Sequence, residues 1–422
     1  MLRVMVLALL VALSGCHRQA NAPGEAPTGL AVEPGEGLVI VKWDQLPGLT
    51  YWIFFQAGSS VTARDPGVPL LFDVQSPRIV AGLINDVEYA FVMNATNHDS
   101  PAGPSTPVVT QTPRLAGASW FSGAPLGSPP QNLNGVVFGA ALNRIVAVGD
   151  SGTLFAGDLN YSSSNPPGVT SWTQATSVPT GFASNLSAVA SNGNLFIALG
   201  TDGTVVTSID GNAWTSPGSM PSGSARMNSL AFGLINSVAH YVAVGSGGNI
   251  FTSTDLVNWT AAASNTTSDL YNVAIPKDVF IATGANGTLL TSADAINWVA
   301  RSSNTPTALR GATYGTGPAV GASAQYVVVG DSGTILTSTD ATTWSMIPPP
   351  LSQDLRAIRL GTRFVAVGQA GAVAYSNDAI NWSVSSVPGF PQGSPAPDLA
   401  SIIFTPAMYL AVGPSGANAV SK

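Results

Sequence analysis

The sequence has 422 residues, of which 45% are hydrophobic and only 9% are charged. This composition supports large buried cores and excludes a disordered chain, and the length predicts more than one domain. The net charge is −7 and no run of Lys or Arg occurs, which leaves no electrostatic basis for tracking phosphates. We therefore expect no nucleic-acid partner.

The chain begins with a short targeting segment. One positive charge, Arg3, precedes an apolar run over 4–13 that is too short for a stable transmembrane helix. The run ends in Leu13-Ser14-Gly15-Cys16, and this single cysteine of the sequence cannot form an internal disulfide. These residues resemble a bacterial lipoprotein signal. The resemblance implies that residues 1–15 are removed, that Cys16 is acylated, and that 16–26 form a tether.

The alternative for this segment is an ordinary signal peptide with an incidental cysteine. Several acyl chains on one residue anchor a protein more firmly than a single chain does. His17 stands where an aspartate would resemble an inner-membrane retention signal, so the resemblance favours the outer membrane. We expect a cell-envelope protein that is held to the membrane through Cys16.

Residues 27–113 have the pattern of a β-sandwich. Runs such as 38–43 and 51–55 have the composition and period of strands, and Pro, Gly and Asp turns separate them. Trp43 resembles the second-strand tryptophan of fibronectin type III domains. Gly82-Leu83 followed by Tyr89-Ala90-Phe91-Val92 resembles the tyrosine corner of that family. The resemblance implies a spacer or docking module.

From residue 117 to 422 the sequence repeats with a period of about 40 residues. Each unit has an apolar run led by Leu or Met, a second run that ends in Gly-x-x-Gly, a third that enters a turn, and a fourth. Four short strands per unit, without a helical period, predict the blades of a β-propeller. The leading residues are Leu133, Leu186, Met227, Leu270, Leu309, Leu355 and Leu399.

The ends of the repeat predict how the ring closes. The last unit stops after three runs, whereas the segment 118–122 with Trp120 precedes the first unit. Adding this segment to the last unit completes seven blades and hides the edges of an open ring. The predicted fold class is all-β, with a fibronectin type III-like β-sandwich followed by a seven-bladed propeller.

Five units carry Ser-x-Asp-x-x-x-Trp or a close variant. This motif resembles the Asp-box (BNR) repeat of sialidase-like propellers. An Asp at a hairpin tip accepts backbone N–H groups, while the indole packs against the neighbouring sheet. We interpret these residues as structural, because equivalent positions of successive blades lie far apart around the rim. They are Asp210, Trp214, Asp255, Trp259, Asp294, Trp298, Asp340, Trp344, Asp378 and Trp382.

The sequence lacks complete catalytic sets. Two Gly-Asp-Ser-Gly turns resemble the nucleophile loop of serine proteases, whose serine needs a histidine base. Only His240 of the three histidines lies in the propeller. The resemblance to sialidases implies a catalytic glutamate, and residues 117–422 contain none. We predict no catalytic residue, no cofactor and no metal site.

Charged residues beside the leading Leu or Met mark a candidate binding site. In a propeller these positions lie near the mouth of the central channel, where arginines can grip carboxylates or sugar-borne anions bidentately. The alternative is a set of inter-blade salt bridges that contribute about 0 to 1 kcal/mol each. The candidates are Arg226, Asp269, Arg310, Asp354, Arg356 and Asp398.

Three functions are compatible with these observations. The first is a non-catalytic lipoprotein whose propeller binds a protein or a glycan. Units with Leu-Arg at the channel mouth resemble photosystem II assembly factors of plastids and cyanobacteria, which implies partner binding without catalysis. The second is a polysaccharide-active glycoside hydrolase, which needs two of Asp269, Asp354 and Asp398 in one cleft beside Tyr271 or Tyr314. The third is an architectural surface protein.

Overall fold

The computed structural model describes residues 24–63, 65, 67–97, 103–114, 116–160, 168–180, 182–221, 225–389, 391–405 and 408–421. The regular elements of these residues are β-strands and single 3₁₀ turns. In this part of the chain, no helix is long and apolar enough to cross a membrane. Cys16 and the predicted signal segment lie outside the described residues.

Contacts group the chain into two compact units. Of the described residues, one unit comprises those in 24–33, 41–78 and 87–112, and the other comprises those in 34–40, in 79–86 and from 113 onward.

Seven strands before residue 112 form two sheets. They are β1 (Ala31–Gly35), β2 (Leu38–Lys42), β3 (Thr50–Ala57), β4 (Leu70–Phe72), β5 (Arg78–Ala81), β6 (Tyr89–Thr96) and β7 (Val109–Gln111). The sheet orders are β1-β2-β5 and β4-β3-β6-β7. β6 is buried along its whole length and runs antiparallel to β3, with Met93 opposite Ile53. The apolar runs therefore form strands where the sequence predicts them.

Seven four-stranded antiparallel sheets follow, and we call them blades 1 to 7 in chain order. The strand that precedes them is β8 (Phe121–Ser122). Blades 1 to 3 contain β9 (Leu133–Gly139), β10 (Arg144–Gly149), β11 (Leu154–Asn160), β12 (Gly168–Gln174), β13 (Leu186–Ser191), β14 (Phe196–Gly200), β15 (Thr204–Ser208), β16 (Thr215–Ser219), β17 (Met227–Ile235), β18 (Val238–Gly245), β19 (Ile250–Ser253) and β20 (Thr260–Ala262).

The remaining blades repeat the same order of strands. Blades 4 to 6 contain β21 (Leu270–Ala274), β22 (Phe280–Gly284), β23 (Leu289–Ser292), β24 (Val299–Ala300), β25 (Leu309–Gly315), β26 (Gln325–Gly330), β27 (Ile335–Ser338), β28 (Ser345–Ile347), β29 (Leu355–Leu360), β30 (Phe364–Gly368), β31 (Ala372–Ser376) and β32 (Trp382–Ser386). Blade 7 contains β33 (Ser401–Thr405), β34 (Met408–Val412), β35 (Asn418–Ser421) and β8.

The core of the propeller lies between neighbouring blades. The second strand of a blade, such as β14 or β22, is buried at every position because both of its faces are covered. Each cluster of buried side chains draws on two adjacent blades, as where Val242 of blade 3 joins Val273 of blade 4. This packing explains why the second runs of the sequence read as continuous apolar segments.

The ring closes where the sequence predicts. β35 pairs with β8, with Val420 opposite Phe121 and Ala419 opposite Ser122. The indole of Trp120 is buried in the cluster between blades 6 and 7. The prediction of seven blades closed by the N-terminal strand of the domain is confirmed. The paired segment is only two residues long, because the chain before it forms the turn that places Trp120.

The glycines of the Gly-x-x-Gly turns serve two different purposes. Gly333, the last residue of its turn, has φ 67, in the left-handed region that favours glycine. The first glycine, Gly330, is extended with φ −161. A glycine is needed at this position because a Cβ there would lie 2.2 Å from the carbonyl oxygen of Ala308. Between them Ser332 adopts φ 53, so a residue other than glycine carries a left-handed conformation in the same turn.

Candidate functional site

The first strands of all seven blades line one central cavity with a volume of about 190 Å³. The side chain that follows each leading Leu or Met reaches it, because every first strand runs beside the axis of the ring. Most of the exposed lining is polar. The seven residues at this position are Asn134, Ser187, Asn228, Tyr271, Arg310, Arg356 and Ala400.

Arg310 is the most firmly held cation of the cavity. Its Nε and Nη2 donate to the two carboxylate oxygens of Asp331, the latter at 2.9 Å, in a bidentate pair. The carboxylate of Asp331 raises the pKa of Arg310, so the guanidinium stays charged. The guanidinium carbon also lies 4.9 Å from the ring centre of Tyr271. Two contacts therefore fix a cation at one side of the cavity.

Arg356 is the second cation of the cavity. Its Nη1 lies 3.0 Å from Oδ2 of Asp398, and about a third of each side chain is exposed. This ion pair uses only part of the donors of the guanidinium. Arg226, the third arginine that the sequence singles out, is not among the residues that line the cavity, and its Nε donates to Oδ1 of Asn228 at 3.3 Å. The structure thus brings together two of the three arginines.

The three candidate aspartates connect consecutive blades. Asp269, Asp354 and Asp398 each accept, through Oδ1, the backbone N–H of the left-handed residue in the Gly-x-x-Gly turn of the preceding blade. The bonds from Gly247 to Asp269, from Ser332 to Asp354 and from Ala370 to Asp398 measure 2.8, 3.0 and 2.8 Å. None of the three aspartates lines the central cavity. We call these bonds latches.

Two asparagines form the same latches, and sequence reasoning missed them. Asn185 accepts from Ser151 at 2.8 Å, and Asn132 accepts from Ser415 at 3.0 Å. Both precede a leading leucine, as the aspartates do, and this shared position is the signal that could have found them. The equivalent positions Ala308 and Arg226 carry no carboxylate or carboxamide, so two blade junctions lack the bond.

The candidates named from the sequence also did not include the uncharged polar residues of the cavity. Asn134 donates through Nδ2 to Oδ1 of Asp150 at 2.8 Å and to the carbonyl of Leu186 at 2.9 Å. Asn228 donates to the carbonyl of Leu270 at 2.8 Å. These bonds fix amide groups in the cavity that the two arginines also line.

The turns with Ser-x-Asp-x-x-x-Trp lie at the hairpins between third and fourth strands. Oδ1 of Asp255 accepts the N–H groups of Val257 and Asn258 at 2.9 and 2.7 Å. These bonds hold the pKa of Asp255 well below its usual value, and the bond from Asn258 has the largest effect. The pKa values of Asp294 and Asp340 are lowered in the same way. Each carboxylate serves its own turn, which agrees with a structural role.

The tyrosines named as possible cleft aromatics lie in different surroundings. Tyr271 lines the central cavity beneath Arg310. Tyr314 instead packs against Tyr326, with 4.3 Å between ring centres, and its ring lies 5.3 Å from Nζ of Lys277. Among the residues that the structure describes, no group of three His, Cys, Asp or Glu side chains could hold a metal ion.

Comparisons with known proteins identify the fold. No protein-family model matches the sequence, and no curated protein matches it. Among the solved structures that match, three each cover 72% of this chain. The chain carries a β-propeller similar to theirs. At 10 to 17% identity, the likeness is one of fold.

Two of the three structures are of YCF48. YCF48 bound to a D1 peptide aligns over 96% of its length with a TM-score of 0.55 and 17% identity. YCF48 from Cyanidioschyzon merolae aligns over 98% of its length with a TM-score of 0.52 and 16% identity. The third is a catalytically inactive virginiamycin B lyase from Staphylococcus aureus with quinupristin, which aligns over 99% of its length with a TM-score of 0.56 and 10% identity.

Proposed function

We propose that this chain is a non-catalytic, lipid-anchored protein of the cell envelope whose propeller binds a protein or glycan partner at the central cavity. The observation that carries the proposal is the pair of arginines, Arg310 and Arg356, in one polar cavity that all seven blades line. Guanidinium groups beside fixed amides and hydroxyls suit a ligand that presents a carboxylate or another anion.

Ion pairs hold the two arginines in position for such a ligand but leave part of each guanidinium group available. Each is paired with one carboxylate, Asp331 or Asp398, and about a third of each arginine side chain remains exposed. The acceptor holds the guanidinium in place, and the donors that it does not use remain for a ligand. Holding a charged group in advance lowers the entropy cost of binding.

One structural neighbour supports the general idea of partner binding by such a propeller. The YCF48 structure holds a D1 peptide, so a propeller of this fold can accommodate a peptide. For the present chain we propose only the class of ligand, an anionic group on a protein or a glycan.

The other parts of the proposal come from the sequence. We assign residues 27–113 to a fibronectin type III-like spacer, which the sheet orders β1-β2-β5 and β4-β3-β6-β7 support as a sandwich of seven strands. We assign the Ser-x-Asp turns to the Asp-box class, supported by the bonds of Asp255 and its equivalents. We assign the anchor to Cys16, on the basis of the Leu-Ser-Gly-Cys motif.

The alternative function, a glycoside hydrolase with paired aspartates, has less support. Such chemistry needs two carboxylates on either side of one bond. Asp269, Asp354 and Asp398 each accept a backbone N–H at a different blade junction, and none of them lines the central cavity.

A binding screen tests the proposed function. The full chain is applied to arrays of acidic and neutral glycans and peptides, beside a variant with both Arg310→Ala and Arg356→Ala. We expect hits that carry an anionic group, and a loss of affinity of at least about tenfold in the variant. Arg301→Ala is the matched control, since Arg301 is bonded to Thr291 and does not line the cavity.

Two outcomes would overturn the proposal. One is binding that the double variant retains at full affinity, which would place the ligand elsewhere on the molecule. The other is the absence of any ligand for a folded protein, which would favour an architectural role.

A further inference from the structure

In the described part of the chain, six of the seven junctions between blades are closed by an indole in the same manner. Each indole N–H donates to the backbone carbonyl three residues earlier, at 2.9 to 3.3 Å, which folds the chain into a tight turn. These tryptophans are Trp120, Trp214, Trp259, Trp298, Trp344 and Trp382.

The residue that supplies this carbonyl packs against the preceding blade. A Cβ on Gly211 would lie 2.9 Å from Val146 and 3.2 Å from Ala156, which belong to the second and third strands of blade 1. At the junction of blades 6 and 7, a Cβ on Gly117 would lie 2.5 Å from Val365, on the second strand of blade 6. We call the pair of positions held by Val146 and Ala156 the seat for the next turn.

Blade 7 has the same seat. Leu410 stands three residues before the first glycine of its turn, as Val146 does, and Val420 stands four residues after the last glycine, as Ala156 does. The seventh junction is that between blade 7 and blade 1.

At this junction, the described residues of blade 1 that correspond to the turn motif lie within strands. β11 and β12 are longer than the corresponding strands of other blades, and Trp172 lies inside β12 opposite Gly157. Asp158 lies inside β11, where its Oδ1 accepts from Nε of Arg144 at 2.9 Å. Trp172 therefore does not make the turn that the other six tryptophans make.

A cavity of about 460 Å³ lies over the seat of blade 7. We call it the seam cavity. Its walls are mostly apolar, and the described side chains that line it include no charged group. Trp172 is half-buried in the wall, and among the described residues its indole N–H has no hydrogen-bond partner. The other main apolar walls are Phe121, Leu126, Leu410 and Val420.

We propose that the seam cavity is a docking site for an aromatic side chain of a partner polypeptide. The fold itself places an indole at such a junction, since Trp214 is buried in one cluster with Val146 of the preceding blade. An aromatic ring placed over Leu410 and Val420 also meets the ring of Trp172, and aromatic pairs attract beyond their burial of area. The indole N–H of Trp172, which bonds to no described residue, supplies a donor for a carbonyl of the partner backbone.

The chemistry of the cavity favours this occupant over others. The lining is mainly apolar and its described side chains provide no cation for an anion, which separates this site from the central cavity with its two arginines. The volume lies in the range of pockets that hold drug-sized ligands. The seam cavity and the central cavity share no lining residue, so the two sites can be tested independently.

Ligand-observed fluorine NMR tests the proposal with ring-fluorinated N-acetyl-L-tryptophanamide as the probe and the full chain as the receptor. We expect saturable binding in the millimolar range, on the order of 1 mM, which is usual for a fragment of this size. Val420→Phe fills the cavity and should weaken binding at least about tenfold. Val384→Phe, an equal change at an exposed position of β32, is the matched control and should leave binding unchanged.

Trp172→Ala serves as a second variant if Val420→Phe impairs folding, which a thermal unfolding curve reveals. It should also weaken binding, since it removes one wall. Absence of binding by the unmodified chain would overturn the proposal. Binding that persists in both variants would overturn it as well, and so would preferential binding of the neutral disaccharide cellobiose, which would identify a saccharide site.

Discussion

The carboxylate of Asp354 accepts the backbone N–H of Ser332 at 3.0 Å, and the carbonyl oxygen of the same aspartate accepts the N–H of Gln369 at 2.9 Å. One residue therefore joins the turn of blade 5 to the turn of blade 6. The left-handed φ of 53° at Ser332 directs its N–H toward the next blade. The repetition of this bond around the ring explains the aspartates at the channel mouth without any ligand.

Removing a latch should weaken the propeller. We expect Asp354→Ala to lower the free energy of unfolding by about 1 kcal/mol, because the N–H of Ser332 loses its protein acceptor but can bond to water. Thermal unfolding measures this effect. Asp354→Asn is the matched control, since Asn132 and Asn185 form the same bond elsewhere. A control as unstable as the alanine variant would contradict the latch.

Adding a latch should strengthen a junction that lacks one. Ala308 precedes the leading leucine of blade 5, and Asn286, with φ 54, is the left-handed residue of the preceding turn. We expect Ala308→Asp to raise the free energy of unfolding by up to about 1 kcal/mol, because its carboxylate can accept the N–H of Asn286. Ala308→Leu tests whether size alone has this effect, and an equal gain from leucine would argue against the hydrogen bond.

The Ser-x-Asp turns should make stability depend on pH in the acid range. The pKa values of Asp255, Asp294 and Asp340 lie below the ordinary value of 3.8 in the folded chain. Their stabilising contribution is therefore complete above about pH 4 and is lost as the pH falls below 3.8 toward the folded-state pKa values. We expect the unfolding temperature to fall in that window.

A triple Asp→Asn variant at these positions checks the cause of the pH effect. Its unfolding temperature should be lower at neutral pH and should fall less steeply in acid than that of the unmodified chain. An equally steep acid profile in the variant would assign the effect to other carboxylates.

Trp120, which lies where the ring closes, should contribute as much to the free energy of unfolding as a tryptophan between two other blades. Trp120 is buried between blades 6 and 7, and Trp298 is buried between blades 3 and 4. We expect Trp120→Ala and Trp298→Ala each to cost about 3–5 kcal/mol, because each leaves a large cavity in a packed core. Denaturant unfolding compares the two variants. A cost below about 0.5 kcal/mol for Trp120→Ala would show that ring closure does not depend on this indole.

The first glycine of a Gly-x-x-Gly turn should tolerate no side chain. A Cβ on Gly330 would lie 2.2 Å from the carbonyl oxygen of Ala308, so we expect Gly330→Ala to cost about 1–3 kcal/mol through displacement of the strand. Ser332→Gly, in the same turn, should cost nothing or stabilise slightly, since glycine adopts a positive φ readily. Thermal unfolding of both variants decides whether space or φ governs each position.

The sequence alone predicted the architecture of the propeller. The apolar second runs and the Gly-x-x-Gly turns recur with a period of about 40 residues, and the Trp120 segment supplies the strand that the last unit lacks. Each feature reflects a local requirement of a four-stranded blade. Blade number and closure follow from such local signals, because every blade makes nearly the same contacts with its neighbours.

Only the tertiary structure decided which charged residues share a site. Arg356 and Asp354 lie on either side of a leading leucine, yet the arginine lines the central cavity and the aspartate bonds to the preceding blade. A shift of register after the leading leucine sets these directions. The seam cavity likewise depends on how blade 7 meets blade 1, residues far apart in the chain, and no local pattern contains that contact.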